Sequence, residues 1–536
     1  MQYLEIILIL LAVIACLAPL ADKIKVPFPV VLVTVGLLIG FVPGLPSMQL
    51  APDLVFLIFL PPLLYEAAVG TSWHDLKKER KAITFLSVRM VFITMAVLAV
   101  VAHYCIPGFT WPLSFLLGAI LSPPDAVAAM AAMKGLKIPK KWSIIIEGES
   151  LLNDASALIA YRYALLAVAG GAFVYWRAGL DFLRVTTGGV LIGFAIGFGF
   201  SKLQRRFAGN PATEISLTLL VAYVAYLFAE HLHTSGVLAV VTTGLLISWR
   251  SFRIFTFNTR LQMRIFWQVL SFLLNGFVFI LIGLQLPSVQ AAIGREHLPA
   301  MIGYGLLISF TAILLRPLLF ISWAYIAAKP GMDIRDRLNE AIVISWSGMR
   351  GVVSLATALA LPLTMSNGNA FPQRDAILFI TFIVILVTLV VQGLSYPALV
   401  RSLGIDVKED EQTSRERDLR TELIQLSIDY IDNTLSKETD APVHSAMRKE
   451  FEERLTYLQN MHKGIEPEAP VSSKRIHLKQ SLDAQVKVIQ HQRQHLILMH
   501  KKGAYSDDML HKMEQELDIW QLRVHARMQS TQLNVL

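Results

Sequence analysis

The stretch EGESLLNDASAL, residues 147–158, lies inside a segment that otherwise reads as a membrane-spanning helix. From Trp142 to Ala169 the residues around it are mostly Ile, Leu and Ala, yet Glu147, Glu149, Asn153 and Asp154 interrupt them. An ionisable side chain near the centre of a bilayer costs about 2.5–3.5 kcal/mol on insertion scales, so it marks a functional site by default. At about 100° per residue, Glu149, Asn153, Ser150 and Asp154 fall at about 0°, 40°, 100° and 140° around the helix, and Glu147 joins them at about 160°. The opposite side is Leu and Ile. The helix is therefore expected to present oxygen ligands to the protein interior or to a water-filled cavity. The competing reading, a hydrogen-bond network that only joins helices, would use Ser, Thr or Asn rather than acids.

Composition sets the frame for that helix. Hydrophobic residues make up 54% of the 536 and charged residues 16%, where soluble domains carry about a quarter charged. This is the composition of an all-α polytopic membrane protein. The net charge of +8 is then a topology signal rather than a sign of a nucleic-acid partner. Cys16 and Cys105 stand in apolar runs, so no disulfide framework is expected. The N-terminus reads as a first spanning helix and not as a removable signal peptide.

Runs of about 20 apolar residues give thirteen expected spans, near 3–21, 27–42, 52–70, 83–105, 113–133, 142–169, 180–201, 213–230, 235–249, 265–287, 299–327, 338–363 and 375–400. The connecting loops alternate in charge. One set carries clusters such as Lys77, Lys78, Arg80, Lys81 and Lys134, Lys137, Lys140, Lys141, whereas the other carries only Arg177, Arg184, Arg295 and Arg374. Positive loops stay inside, which predicts an outside N-terminus and a cytoplasmic C-terminus. After residue 404 the composition turns charged, with apolar residues at helical spacing, so 405–536 is expected to be a cytoplasmic helical tail behind a transmembrane domain of 1–404. Eight of the thirteen histidines fall in that tail, and they titrate near cytoplasmic pH, which suggests a regulatory role.

Two spans are interrupted. Span five contains LSPPDAVAAM, where Pro123 and Pro124 remove amide donors and free the carbonyls of Ala119 and Ile120, just before Asp125. Span twelve contains SWSGMRGVVSLA, where Gly348 and Gly351 bracket Arg350. Broken helix survives in a bilayer only where protein or a cavity satisfies its backbone. The breaks, near 118–130 and 345–353, lie seven spans apart, so their helices run in opposite directions. They occupy matching positions if spans 1–6 and 8–13 are inverted repeats joined by span seven. Paired discontinuous helices at the midplane point to a secondary-transporter site. A carboxylate there holds a cation or a proton.

At these residues the chain resembles a known family. EGESLLNDASAL, LSPPDAVAAM, FLIFLPPLLYEAA (56–68), NGFVFILIGLQLP (275–287) and GMRGVVSLATALALP (348–362) are similar to motifs of the bacterial sodium/proton antiporters of the monovalent cation:proton antiporter superfamily. The match is to the branch with an Asn-Asp pair, related to the eukaryotic sodium/hydrogen exchangers, and it spans roughly residues 1–404. The resemblance implies that Asp154 is the carboxylate for which Na+ (or Li+ or K+) and H+ compete, with Glu149 and Ser150 as co-ligands and Asn153 orienting the site. Asp125 stands in the place of the family's acid at the span-five crossover. The family usually reads Ser-Pro-Thr-Asp there; this chain has Pro124 in place of the Thr and loses that hydroxyl, which leaves Na+ against K+ open. The resemblance further implies an ion pair between Glu66 and Arg350. It also implies a homodimer in the bacterial plasma membrane, serving pH and sodium homeostasis. No cofactor is implied.

Hard alkali cations suit such a set of carboxylate, hydroxyl, amide and carbonyl oxygens. With Asn153 unable to titrate, one exchanging carboxylate predicts electroneutral exchange. A channel would need a continuous polar path, whereas these polar residues gather at one depth. The EHLH stretch at 230–233 resembles part of a metal motif, but its histidines are two apart and no catalytic partner is evident, so an enzyme is not expected.

Overall fold

The computed structural model describes residues 2–42, 52–136, 138–170, 175–206, 209–294, 296–326, 334–365 and 368–404, with scattered helical residues between 421 and 528. The chain divides into two compact units, Met1–Val407 and Lys408–Leu536.

The first unit is built of helices. They are α1 Gln2–Ile24, α2 Phe28–Gly40, α3 Pro52–Gly70, α4 Trp73–Lys78 and α5 Arg80–Thr84, which continues through a π-helical turn into α6 Val91–Cys105. There follow α7 Trp111–Leu121, α8 Ala126–Met133, α9 Lys140–Val168, α10 Tyr175–Gln204, α11 Pro211–His231 and α12 Gly236–Ile254. The last are α13 Phe257–Ile293, α14 Leu298–Ile326, α15 Ile334–Trp346, α16 Val352–Leu359 and α17 Arg374–Ser402. Among the described residues nine helices are long and apolar enough to cross a membrane, and Phe28–Gly40, Leu57–Gly70 and Gly236–Ser251 are shorter apolar helices. Apolar side chains face outward along them, for example Leu191 and Phe194 on α10 and Phe310 and Leu318 on α14. That is the pattern of a multi-pass membrane protein, in which the surrounding solvent is itself apolar.

Packing separates these helices into two groups that meet along a seam. In one, α2 lies along α13, α12 packs on α3, α10 and α11, and α1 joins α2. In the other, α7 packs on α6 and α9, and α14 packs on α15 and α17. The most extensive contact is between α2 and α13. A Cβ at Gly36 would run into the Ile280 carbonyl, and one at Gly283 into the Leu37 amide and the Val33 carbonyl. Without a hydrophobic drive between helices in lipid, such backbone contact through small residues is what holds them.

Both expected interruptions are present. The helix stops at Leu121 and restarts at Ala126, and it stops again at Trp346 and restarts at Val352. Of the carbonyls freed by the two prolines, that of Ala119 accepts a hydrogen bond from the Ser122 hydroxyl at 3.1 Å. The two unwound segments touch one another, with the Asp125 amide donating to the Met349 carbonyl at 2.7 Å.

In the second unit the described residues are helical, and Leu482, Ile489 and Val524 form a small buried core with Trp520 and Leu517 packed against it. Of the tail histidines only His525 is described, its Nδ1 lying 2.9 Å from the Gln521 carbonyl; positions 444, 462, 477, 491, 495, 500 and 511 lie outside the described residues.

The α2–α13 contact gives a stability test. Gly283→Leu must force the two backbones apart, and overpacking of this kind costs about 1–3 kcal/mol. The midpoint of thermal unfolding of the detergent-purified variant should fall by several degrees. Gly303→Leu, at a position where a Cβ meets nothing within 4 Å, should leave it unchanged.

Candidate functional site

Helix α9 places its polar residues in three different directions. Glu149 and Asp154 are about 140° apart around the axis, and that angle separates them in the fold. Glu149 is 1% exposed, and both its carboxylate oxygens are taken by Arg316 of α14, Nη1 to Oε1 at 2.7 Å and Nη2 to Oε2 at 2.6 Å. The same Arg316 Nη2 also donates to the Ile344 carbonyl at 3.3 Å. This is a bidentate pair, the strongest geometry available to a carboxylate and a guanidinium. The expected role of Glu149 as a cation ligand is therefore corrected: its oxygens are spent on Arg316, and the residue does not line the cavity described below. Asn153 is fully buried; its Nδ2 donates to the Pro124 carbonyl at 3.0 Å. It thus ties α9 to the broken helix and stands behind the site rather than in it.

Asp125 organises the crossover. Its Oδ1 accepts from the Val127 amide at 2.8 Å and its Oδ2 from the Val352 amide at 3.1 Å, so one carboxylate caps the N-termini of both α8 and α16. Each helix N-terminus carries about half a positive charge, and two of them offset one carboxylate. The approach is close enough that a Cβ at Gly351 would overlap the carboxylate. Glycine is needed there for space, because any side chain would collide with that carboxylate.

Asp154 is different. It is 6% exposed, and among the described residues it makes no hydrogen bond and no ion pair. It faces a cavity of about 480 Å³ that is also lined by Pro124, Asp125, Ser150, Glu66 and Glu147. The Ser150 hydroxyl accepts a weak bond from the Ala126 amide at 3.4 Å. The rest of the wall is largely apolar, including Leu60, Leu63, Leu64, Met130 and Phe272. The cavity lies along the seam between the two helix groups.

Glu66 and Arg350 do not pair. Glu66 of α3 lines the cavity, whereas Arg350 is 2% exposed in the unwound segment before α16, with its amide donating to the Thr388 hydroxyl at 3.1 Å. Among the described residues its Nε and Nη1 have no hydrogen-bond partner, and its charge lies beside Arg316 and Glu149. The arginine that does form a buried ion pair is Arg316, which the hydropathy reading passed over. The one signal for it was a charge next to Pro317 in an otherwise apolar span. Glu230 of the EHLH stretch is likewise engaged elsewhere, accepting from Arg162 of α9 at 2.6 Å and from the Gly236 amide at 3.1 Å.

A pair of broken helices capped by one acid, beside a partner-free acid in a half-enclosed cavity, defines the class of secondary transporters with discontinuous helices. The chain belongs to the sodium/hydrogen exchanger transmembrane family, whose model matches residues 9–402. It is 30% identical to an uncharacterised Na+/H+ exchanger of Mycobacterium tuberculosis, over 97% of this chain and 96% of that one. It is 34% identical to the low-affinity Na+/H+ antiporter NhaS1 of a Synechocystis species, over 79% of this chain and 80% of that one. A sodium, potassium, lithium and rubidium/H+ antiporter of Bacillus pumilus is 33% identical over 77% of this chain, and the match spans only 64% of that longer protein. The fold is that of the sodium proton antiporter MjNhaP1 from Methanocaldococcus jannaschii, with a TM-score of 0.57 at 21% identity over 73% of this chain and 98% of that one.

Breaking one side of a buried pair leaves an uncompensated charge and costs about 3–5 kcal/mol. Glu149→Gln and Arg316→Met should each lower the thermal midpoint strongly, and the double variant should regain a substantial part of the loss. Strictly additive losses would contradict the pairing.

Proposed function

We propose that the protein exchanges one monovalent cation, Na+ foremost, for one H+ by alternating access, with Asp154 carrying either ion. The observation that supports this most directly is the Asp154 carboxylate itself. It is buried, it faces the cavity, and it has no partner among the described residues, so it needs a cation or a proton to be stable in that setting. Ser150 and Glu66 line the same cavity and offer it further oxygens. Asp125 holds the helix ends and Glu149 holds Arg316, which leaves Asp154 to exchange one charge for another.

The cavity reaches Gly70 and Thr71 at the end of α3, Glu147 near the start of α9, and Gln268 in the first part of α13. These are the ends that adjoin the lysine- and arginine-rich loops. By the charge bias of those loops, the cavity opens to the cytoplasm, the N-terminus is outside, and the tail is cytoplasmic and regulatory. The thirteen-span count, the plasma membrane as location, the homodimer and the absence of enzyme activity belong to the same proposal. K+ is the second reading for the cation. Pro124 supplies no side-chain oxygen to the cavity it lines, and one similar protein is named for Na+, K+, Li+ and Rb+ together.

Two outcomes follow in proteoliposomes. Asp154→Asn should reduce Na+-driven proton flux to background in protein that still purifies as a folded species; substantial flux would contradict the assignment. For one-for-one exchange, the Na+ gradient that nulls proton flux should not move with an imposed membrane potential. A potential is worth about 2.3 kcal/mol per charge per 100 mV, so an electrogenic cycle would shift that null point visibly.

A further inference from the structure

Two serines on the cavity wall have hydroxyls that meet no geometric hydrogen-bond partner among the described residues. Ser354, in the first turn of α16, is 1% exposed, and Ser271 of α13 is 7% exposed. Both line the cavity that Asp154 faces, and among the described residues neither Oγ closes a hydrogen bond. Ser271 lies beside the Glu66 carboxylate on the same cavity wall. The further Ser and Thr hydroxyls buried without a partner among the described residues, Ser87, Ser114, Thr186, Ser345 and Thr381, do not line this cavity. Many other hydroxyls in these helices are spent on their own backbone. Thr34 bonds to the Val30 carbonyl, Ser309 to Gly305 and Thr388 to Val384. Even Thr357, three residues beyond Ser354 on the same helix, donates to the Val353 carbonyl at 2.8 Å. A buried hydroxyl in a native protein almost always has a partner, and one without it calls for an explanation such as a bound water or ion.

We propose that Ser354 and Ser271 are neutral oxygen ligands of the transported cation bound at Asp154, and that the proton-loaded form does not use them. The inference rests on the exchange reading above. An alkali cation that gives up water must replace several oxygens at once, and the number and field strength of those oxygens set which ion is preferred. A proton is satisfied by one covalent O–H bond on the carboxyl group. Uncharged hydroxyls therefore add affinity for the cation without adding a second titrating group. They bring ligands from α13 on one side of the seam and α16 on the other, which join the Asp154 carboxylate from α9.

The test is cation-dependent exchange in proteoliposomes of the wild type, Ser354→Ala, Ser271→Ala and Ser354→Thr. Each alanine variant should raise the apparent KM for Na+ by about threefold or more while Vmax stays within about twofold, the pattern of lost cation binding. Ser354→Thr keeps the hydroxyl and should restore a KM near the wild type. A second readout needs no turnover: the Na+ concentration that half-saturates thermal stabilisation of the detergent-purified protein should rise by a similar factor. Unchanged KM and unchanged half-saturation in both alanine variants would overturn the proposal and leave the hydroxyls to water only. A wild-type protein without exchange would refute the exchange reading itself, a result separate from any difference among the serine variants.

Discussion

One carboxylate holds two helices open at the centre of this protein. The chain breaks α7 from α8 and α15 from α16, and each break exposes amide groups that lipid cannot satisfy. Asp125 accepts from the first turn of both restarted helices, and its amide is fixed by the Met349 carbonyl of the other break. The negative charge is matched by two helix N-termini rather than by an ion. Without that match the unwound segments would have to pair with something else, and the cavity wall they build would not exist.

The remaining buried charges divide by whether the fold satisfies them. Glu149 is fully committed to Arg316, in a pair whose value is specificity of packing as much as energy. It ties α9 to α14 on the side away from the cavity. Asn153, one turn along, ties α9 to Pro124. These contacts fix α9 on two sides and leave Asp154 facing the cavity with its oxygens free. The neighbouring carboxylates of Asp125 and Glu149 are thus satisfied within the fold, while Asp154 is left to the cavity. A transporter needs that arrangement, because a ligand that is already paired has nothing to exchange.

Much of this was legible in the sequence. The acids in 147–158 marked α9, and the Pro-Pro and Gly-Met-Arg-Gly segments marked both breaks, because each violates what a spanning helix ordinarily tolerates. Helical spacing also put Asp154 and Glu149 in view, but it assigned them to one face. A spread of about 140° is wide enough for the two to meet different neighbours, and only the packing of α14 and α3 tells which. The pairing of Glu66 with Arg350 failed for the same reason: partner choice is a tertiary property, and two lone charges in spans do not have to be each other's partner. Arg316 was hidden by averaging, since one charge in a span as apolar as α14 hardly lowers its mean hydropathy. The unpartnered serines carry no signal of their own, because Ser is common in membrane helices and its lack of a partner is visible only in three dimensions.

The central claim is that cation and proton compete for one carboxylate, and the most direct measurement is proton release from the purified protein. Na+ is added to detergent-solubilised protein in weakly buffered solution while pH is recorded. The account predicts release approaching one proton per cation bound when the site begins protonated. It also predicts an apparent Na+ affinity that falls by up to about tenfold per pH unit as the solution is acidified, and no release from Asp154→Asn. Saturable Na+ binding with no proton release, or equal release from the Asp154→Asn protein, would contradict it.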